Sequence, residues 1–337
     1  MSLSKIYNPI RNELGSIERV LAQSLESTSD KYILEINRYL LESPGKRLRP
    51  ALVILSAYAS KSSQSPRINQ EQIVALGAAV ELIHMASLIH DDSIDHADMR
   101  HNKPSIDAKW GTEVSIALGD YLYAKAFELV AVCKNTEVLK CLSQAMAAMC
   151  EGELIQVKER DNLELKKRQY LFIVKQKTAA LMASCCRAGS ASVNGKLIYK
   201  EALSNYGLNF GIAFQVMDDY RDLTSKTEDL GKPAGLDWQM GEVTLPFLLL
   251  PKLKRKKLLN SNTNLSLIKE ALDKSGAFLK TRQFIEDYIN RAKKSLRACE
   301  NSCYKESLAG LTDFINPALS TTKISCPIRK GGVNKRV

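Results

Sequence analysis

Residues Ile73 to Asp95 read IVALGAAVELIHMASLIHDDSID, and this stretch decides the fold. Its apolar residues recur at helical spacing on almost every side: Val74, Leu76, Ala79, Val80, Leu82, Ile83, Leu88 and Ile89. A helix that is apolar nearly all round belongs in a protein interior. It runs into Asp91, Asp92 and Asp95, spaced D-D-x-x-D. At about 100° per residue, positions i and i+4 lie roughly 40° apart, so Asp91 and Asp95 share a face.

The same helical style recurs at Ile6 to Leu25, Leu118 to Val132, Val138 to Gln156, Tyr170 to Ala188 and Tyr206 to Leu223. No two alternating runs are joined by a hairpin turn. The prolines fall between the segments, and no repeat of solenoid period is present. The chain therefore reads as all-α, one domain of many packed helices over residues 1–320, followed by a basic tail, 321–337, expected to be disordered. Its 337 residues are 45% hydrophobic and 25% charged, which excludes disordered and collagen-like chains. No apolar run is expected to reach the roughly 18–20 residues of a bilayer span. Met1 to Leu21 carries too many polar residues for a signal peptide, which points to a soluble, cytoplasmic protein. None of the eight cysteines forms a C-x-x-C pair, so reduced core thiols are expected rather than a zinc ribbon.

The net charge of +11 makes nucleic acid the first suspect. However, residues 252–257 and the tail from Lys323 onward each supply five basic residues and no acid, nearly the whole excess. The remaining body is close to neutral, which argues against a nucleic-acid groove. The 252–257 run reads as a solvated loop.

A second D-D-x-x-D, Asp218, Asp219 and Asp222, closes the Tyr206 helix. At average composition one copy arises by chance at roughly one position in ten thousand. Two copies, each after an apolar helix, call for a cation. Carboxylate oxygens without soft ligands favour Mg²⁺, with Mn²⁺ the alternative. Cations sit elsewhere: Lys46, Arg47 and Arg49 beside Gly45, Arg100 and His101 after the first motif, Lys177 with Thr178 opening an apolar helix segment, and Lys232 between Gly231 and Pro233. Such groups suit phosphate. Bare aspartates repel a diphosphate, so the acidic clusters can hold one only through a bridging divalent metal. His84, seven residues before Asp91, lies about 20° from it on the helical wheel.

These motifs resemble those of the trans-isoprenyl diphosphate synthases, the polyprenyl synthetase family. The likeness runs in order from Gly45-Lys46-Arg47-Leu48-Arg49-Pro50 through His84, Asp91 to Asp95, Trp110-Gly111, Gly119-Asp120, Gly152-Glu153 with Gln156, Lys177-Thr178 and Phe214-Gln215 to Asp218–Asp222, Gly231-Lys232-Pro233 and Thr244-Leu245-Pro246. The resemblance implies a bundle of mostly antiparallel helices around a central cavity, usually a homodimer. It implies condensation of isopentenyl diphosphate head-to-tail onto an allylic diphosphate. The six aspartates then form the metal set, with Asp91, Asp95 and Asp218 in direct contact and Asp92 and Asp222 in support. Arg100, Lys177 and Lys232 hold the allylic diphosphate. Lys46, Arg49 and His84 hold isopentenyl diphosphate, with Phe214 against its hydrocarbon. Thr178 and Gln215 face the developing cation. The released diphosphate serves as base.

The chain departs from the family pattern in four ways. Pro44 precedes Gly45 where a second glycine is usual. His101 stands where a second arginine is common. Gly241-Glu242 replaces a usual Gly-Lys, and the basic tail is an extension. Ala86 and Ser87, five and four residues before Asp91, occupy the positions that shape the pocket floor in this family. Being small, they fit a medium- to long-chain enzyme making a product of about thirty to forty-five carbons. The alternatives are the catalytic subunit of a heteromeric synthase, or a shorter-chain farnesyl or geranylgeranyl diphosphate synthase. A non-catalytic homologue and a binding module built on the basic segments stand further off. An apolar product would also bring transient membrane contact.

Overall fold

Proline writes the first boundary. The sequence predicts one helix from Ile6 to Leu25, but Pro9 has no N–H to continue it. The chain instead makes a helical turn, Leu3–Ile6, a 3₁₀ turn, Asn8–Ile10, and then α1, Arg11–Glu26. The computed structural model describes residues 2–43, 45–61, 68–100, 102–225, 235–260 and 265–315. Within these residues α2 spans Lys31–Leu41, α3 Leu48–Ala59 and α4 Gln70–Ile94. α5 spans Thr112–Val132, α6 Thr136–Lys158 and α7 Lys167–Val174. A π-helical turn, Lys175–Ala179, leads without a break into α8, Ala180–Ser192, and α9 covers Leu197–Thr224. α10 (Lys252–Asn260), α11 (Leu265–Lys274), α12 (Ala277–Ser295) and α13 (Cys303–Phe314) complete the fold. The all-α expectation holds.

α4 is the central element. The Asn69 side chain caps its start by accepting from the Gln72 amide, which satisfies one orphan donor. α1, α3 and α5 pack against it. Contrary to the sequence expectation, α4 is long and apolar enough to cross a membrane by length and composition. Yet 78% of its most apolar window is buried within the protein, so it is spent on the core. α8 packs against α3, α6 and α9, and α9 against α12.

Glycines let two helices, α6 and α9, converge on residues 175–182. A Cβ at Gly211 would lie 2.6 Å from Ala179 Cα, and one at Gly207 2.5 Å from the Met182 carbonyl oxygen. A Cβ at Gly152 of α6 would lie 2.7 Å from the Lys177 amide nitrogen. Only glycine permits such backbone approach.

Two smaller features depart from expectation. Met99–Arg100 pairs antiparallel with Lys103–Pro104 just after the first acidic motif. The 252–257 run is not a solvated loop but lies in α10. There Arg255 is buried and donates to the Leu163 carbonyl, while Lys252 and Lys256 both pair with Glu164. Lysine, arginine and leucine are good helix formers, and their charge concealed that. The seven described cysteines are free; Cys326 lies with the tail 321–337 outside the described residues.

Candidate active site

Both acidic motifs lie at helix C-termini. Asp91 and Asp92 occupy the last turn of α4, and Asp95 caps it. Asp218, Asp219 and Asp222 occupy the last two turns of α9. The helix dipole is negative there, so carboxylates at these places raise the demand for a cation. Within the protein each aspartate of the first motif has its own basic neighbour. Lys177 Nζ lies 3.7 Å from Asp91 and also pairs with Glu153. Arg100 grips the buried Asp92 with two nitrogens, Nε lying 2.8 and 2.9 Å from the carboxylate oxygens. Arg160 pairs with Asp95.

Burial raises the Asp91 carboxyl well above the ordinary range, and Glu153 and Asp95 add to that against the pull of Lys177. Burial alone would depress Lys177, but Asp91, Glu153 and Glu242 hold it above its usual value. Glu242, where the resemblance expects a lysine, is pushed up by burial and bonded to the Gln156 amide. The departure thus adds a carboxylate close to the first motif.

The second motif is divided. Asp218 is exposed, whereas Asp219 and Asp222 are buried. The sequence places Asp219 in the metal set, but the structure gives both its oxygens to protein donors. Tyr170 donates to one and Gln215 Nε2 to the other at 2.9 Å. Thr178 Oγ1 in turn donates to Gln215 Oε1 at 2.8 Å. Thr178 and Gln215 are therefore brought together.

A cavity of about 340 Å³ opens between the 45–49 loop, α4 and α9. Lys46, Arg49, His84, Arg100, Phe214 and Asp218 line it, with Asp92 at its edge. Arg49 stands out. Its guanidinium is held below its usual range by burial, and its Nε has no hydrogen-bond partner among the described residues. A buried donor without an acceptor suits an anion. Arg47, by contrast, is buried in a triad with Glu18 and Glu81, at 2.5 and 2.8 Å. It sits at φ +52°, outside the favoured regions for a side-chain-bearing residue, and sets the turn that carries Lys46 and Arg49.

Ala86 is fully buried, and Ser87 Oγ bonds back to the His84 carbonyl at 2.8 Å. Neither lines the cavity. His101 and Lys232 lie outside the described residues. Sequence reading did not assign Glu153, Arg160, Tyr170, Glu18 or Glu81. Only Glu153, next to Gly152 in the motif order, carried a signal that could have found it.

The donor set fits magnesium. It is made of carboxylate oxygens, and among the described residues no three acidic, His or Cys groups converge into a ready metal cage. Mg²⁺ is commonly held by one or two carboxylates and completed by substrate phosphates.

Comparison with known proteins agrees with this chemistry. The family model described as Polyprenyl synthetase matches residues 30–275. Heptaprenyl diphosphate synthase component 2 of Bacillus subtilis is 35% identical over 94% of this chain and 90% of its own length. A short chain isoprenyl diphosphate synthase of Methanothermobacter thermautotrophicus is 31% identical over 93% of this chain and 98% of its own. The crystal structure of a polyprenyl synthase from Caulobacter crescentus, complexed with calcium and isoprenyl diphosphate, superposes with a TM-score of 0.86. It is 31% identical over 93% of this chain and 97% of that one. With a cavity lined by cations and by an aspartate from each acidic motif, and relatives that match almost end to end, the chain belongs to the polyprenyl synthetase family and is a trans-prenyltransferase.

Proposed function

We propose that the enzyme uses magnesium to condense isopentenyl diphosphate head-to-tail onto an allylic diphosphate, giving a product of about thirty to forty-five carbons. The observation that carries this is a cavity lined together by Arg49, with its unpartnered buried Nε, and by Asp92 and Asp218. Lys46, Arg49 and His84 bind the diphosphate of isopentenyl diphosphate, and Phe214 packs on its hydrocarbon. Asp91, Asp95 and Asp218 would hold magnesium, with Asp92 and Asp222 in support. When bound, the metal neutralises the leaving diphosphate and so promotes its departure. Lys177, Arg100, His101 and Lys232 hold that diphosphate. Lone pairs of Thr178 and Gln215 stabilise the allylic cation. The released diphosphate takes the final proton, so no side chain serves as base.

Two further readings concern assembly. α5 and α6 expose Ile116, Phe127, Leu139 and Leu154, the last 74% exposed, which supports pairing with a second copy. The Bacillus subtilis relative is a component of its synthase, which supports a heteromeric assembly as the second reading. Residues 1–320 act as the catalytic domain, in the cytoplasm or at a membrane surface.

The test is product analysis by mass spectrometry. Purified protein receives magnesium, isopentenyl diphosphate and farnesyl diphosphate, with Asp91→Ala in parallel. A ladder ending at one chain length, absent in the variant, is expected. No product from folded wild type would move the assignment to a subunit that needs its partner.

A further inference from the structure

The chain of contacts around Asp219 has a direction. Burial lifts the Asp219 carboxyl while the bonds from Tyr170 and Gln215 favour its ionised form, and an ionised carboxylate can only accept. Tyr170, itself buried, donates its O–H to one oxygen. The other oxygen is 2.9 Å from Gln215 Nε2, so the amide must present its nitrogen there. That leaves Gln215 Oε1 facing Thr178, whose hydroxyl donates to it at 2.8 Å. The Thr178 hydroxyl, one Gln215 N–H and the Tyr170 hydroxyl all donate on the way to Asp219. What remains at the Thr178 end is lone pairs.

The backbone makes this arrangement hard to avoid. Gly207, Gly211, Gln215 and Asp219 are spaced four apart on one face of α9. The two glycines seat that face against Met182 and Ala179, which brings Gln215 to Thr178 and Asp219 to Tyr170. Tyr170 lies on α7, before the π turn that carries Lys177 and Thr178.

We infer that Tyr170 and Asp219 are positioning residues: through the amide of Gln215 they fix the hydrogen-bond polarity that turns acceptor lone pairs, rather than donors, toward the cationic centre. This rests on the proposed reading that Thr178 and Gln215 face that cation. It separates Asp219 from its neighbours in the motif, because both its oxygens are already filled by protein donors. Preorganised acceptors of this kind act without reorganisation when charge develops.

The test uses full-length enzyme and four variants: Tyr170→Phe, Asp219→Asn, Asp218→Asn, and the double variant Asp219→Asn with Gln215→Glu. In D219N the new amide keeps an acceptor for Tyr170 but turns its nitrogen on Gln215, which must flip and offer N–H to Thr178. In the double variant the new amide at 219 still donates to residue 215, opposite to the wild-type bond, but the new carboxylate at 215 can only accept, so the Thr178 hydroxyl again donates and the polarity at Thr178 is restored. We expect D219N and Y170F to lower kcat by about tenfold or more, as outer-layer polar contacts commonly do, with KM for both substrates little changed. Magnesium affinity, measured by titration calorimetry in the presence of inorganic diphosphate, should stay at the wild-type value in D219N and weaken in D218N. The exchange should restore part of the lost kcat. Unchanged kcat in D219N, magnesium affinity weakened as in D218N, or an exchange worse than D219N alone would each overturn the inference. Wild-type enzyme that makes no prenyl product would instead overturn the reading on which it rests. Should Y170F fold poorly, D219N and the exchange decide the matter alone.

Discussion

The Asp91 carboxyl lies in the last turn of α4, and burial, followed by Glu153 and Asp95, lifts it to about 7 against the pull of Lys177. A group raised on folding binds its proton more tightly in the native state, so it lends stability at low pH that disappears as pH rises through the folded value. In the metal-free protein the cost of Asp91 therefore grows as pH rises from the ordinary aspartate value of 3.8 and is complete above about 7. Asp91→Asn, which cannot ionise, should melt above wild type at pH 8 without metal, and the difference should shrink markedly at pH 4.5. Saturating magnesium with diphosphate should reverse the order. Melting curves at the two pH values check this. Arg47 offers a contrasting case. Replacing it with methionine strands Glu81 in the interior and leaves the half-buried Glu18 unpaired, and losing one partner of a buried ion pair costs about 3–5 kcal/mol. Urea denaturation should show that loss, and a higher KM for isopentenyl diphosphate should accompany it, because Arg47 holds the turn beneath Lys46 and Arg49.

At the scale of elements, the approach of α9 to the π turn depends on atoms that are absent. Gly211→Ala would put a Cβ 2.6 Å from Ala179 Cα, a backbone atom that cannot swing aside. Overpacking of this kind costs about 1–3 kcal/mol, and here it should also lower kcat, since it pushes Gln215 away from Thr178. A paired thermal melt and kinetic assay separate the two effects. α4 carries a further expectation. Ala86→Tyr should shorten the product, read by mass spectrometry. An unchanged product from a variant that melts like wild type would remove Ala86 from the pocket floor. α4, α5, α6 and α9 were legible in the sequence because their apolar residues repeat at helical spacing over many turns. Both acidic motifs were legible because their spacing is local. The partners of those aspartates were not. Arg160 meets Asp95 and Tyr170 meets Asp219 only after distant helices pack, and nothing in their own segments announces it. The π turn was hidden for a related reason. A uniform helical period was assumed across residues 170–188, and one wide turn leaves no mark in composition.

For the whole molecule, the bundle closes with α13 against α3, and the basic tail follows it. We predict that a chain ending at residue 320 keeps its melting temperature and its product ladder, as a catalytic domain of residues 1–320 requires. Loss of either would assign the tail a part in the fold or the site. The charge pattern also has a consequence beyond the living enzyme. Lys177, Arg100 and Arg160 each answer one aspartate of the first motif, so the residues are locked into couples across the fold. A descendant that abandoned catalysis would be released from needing Asp91, Asp92 or Asp95. It could not discard Asp92 or Asp95 cheaply, because Arg100 or Arg160 would be orphaned against the end of α4, whereas Lys177 would keep Glu153. Among inactive offspring of this lineage, decay should therefore proceed by couples, with Asp95 and Arg160, or Asp92 and Arg100, disappearing from the inheritance together.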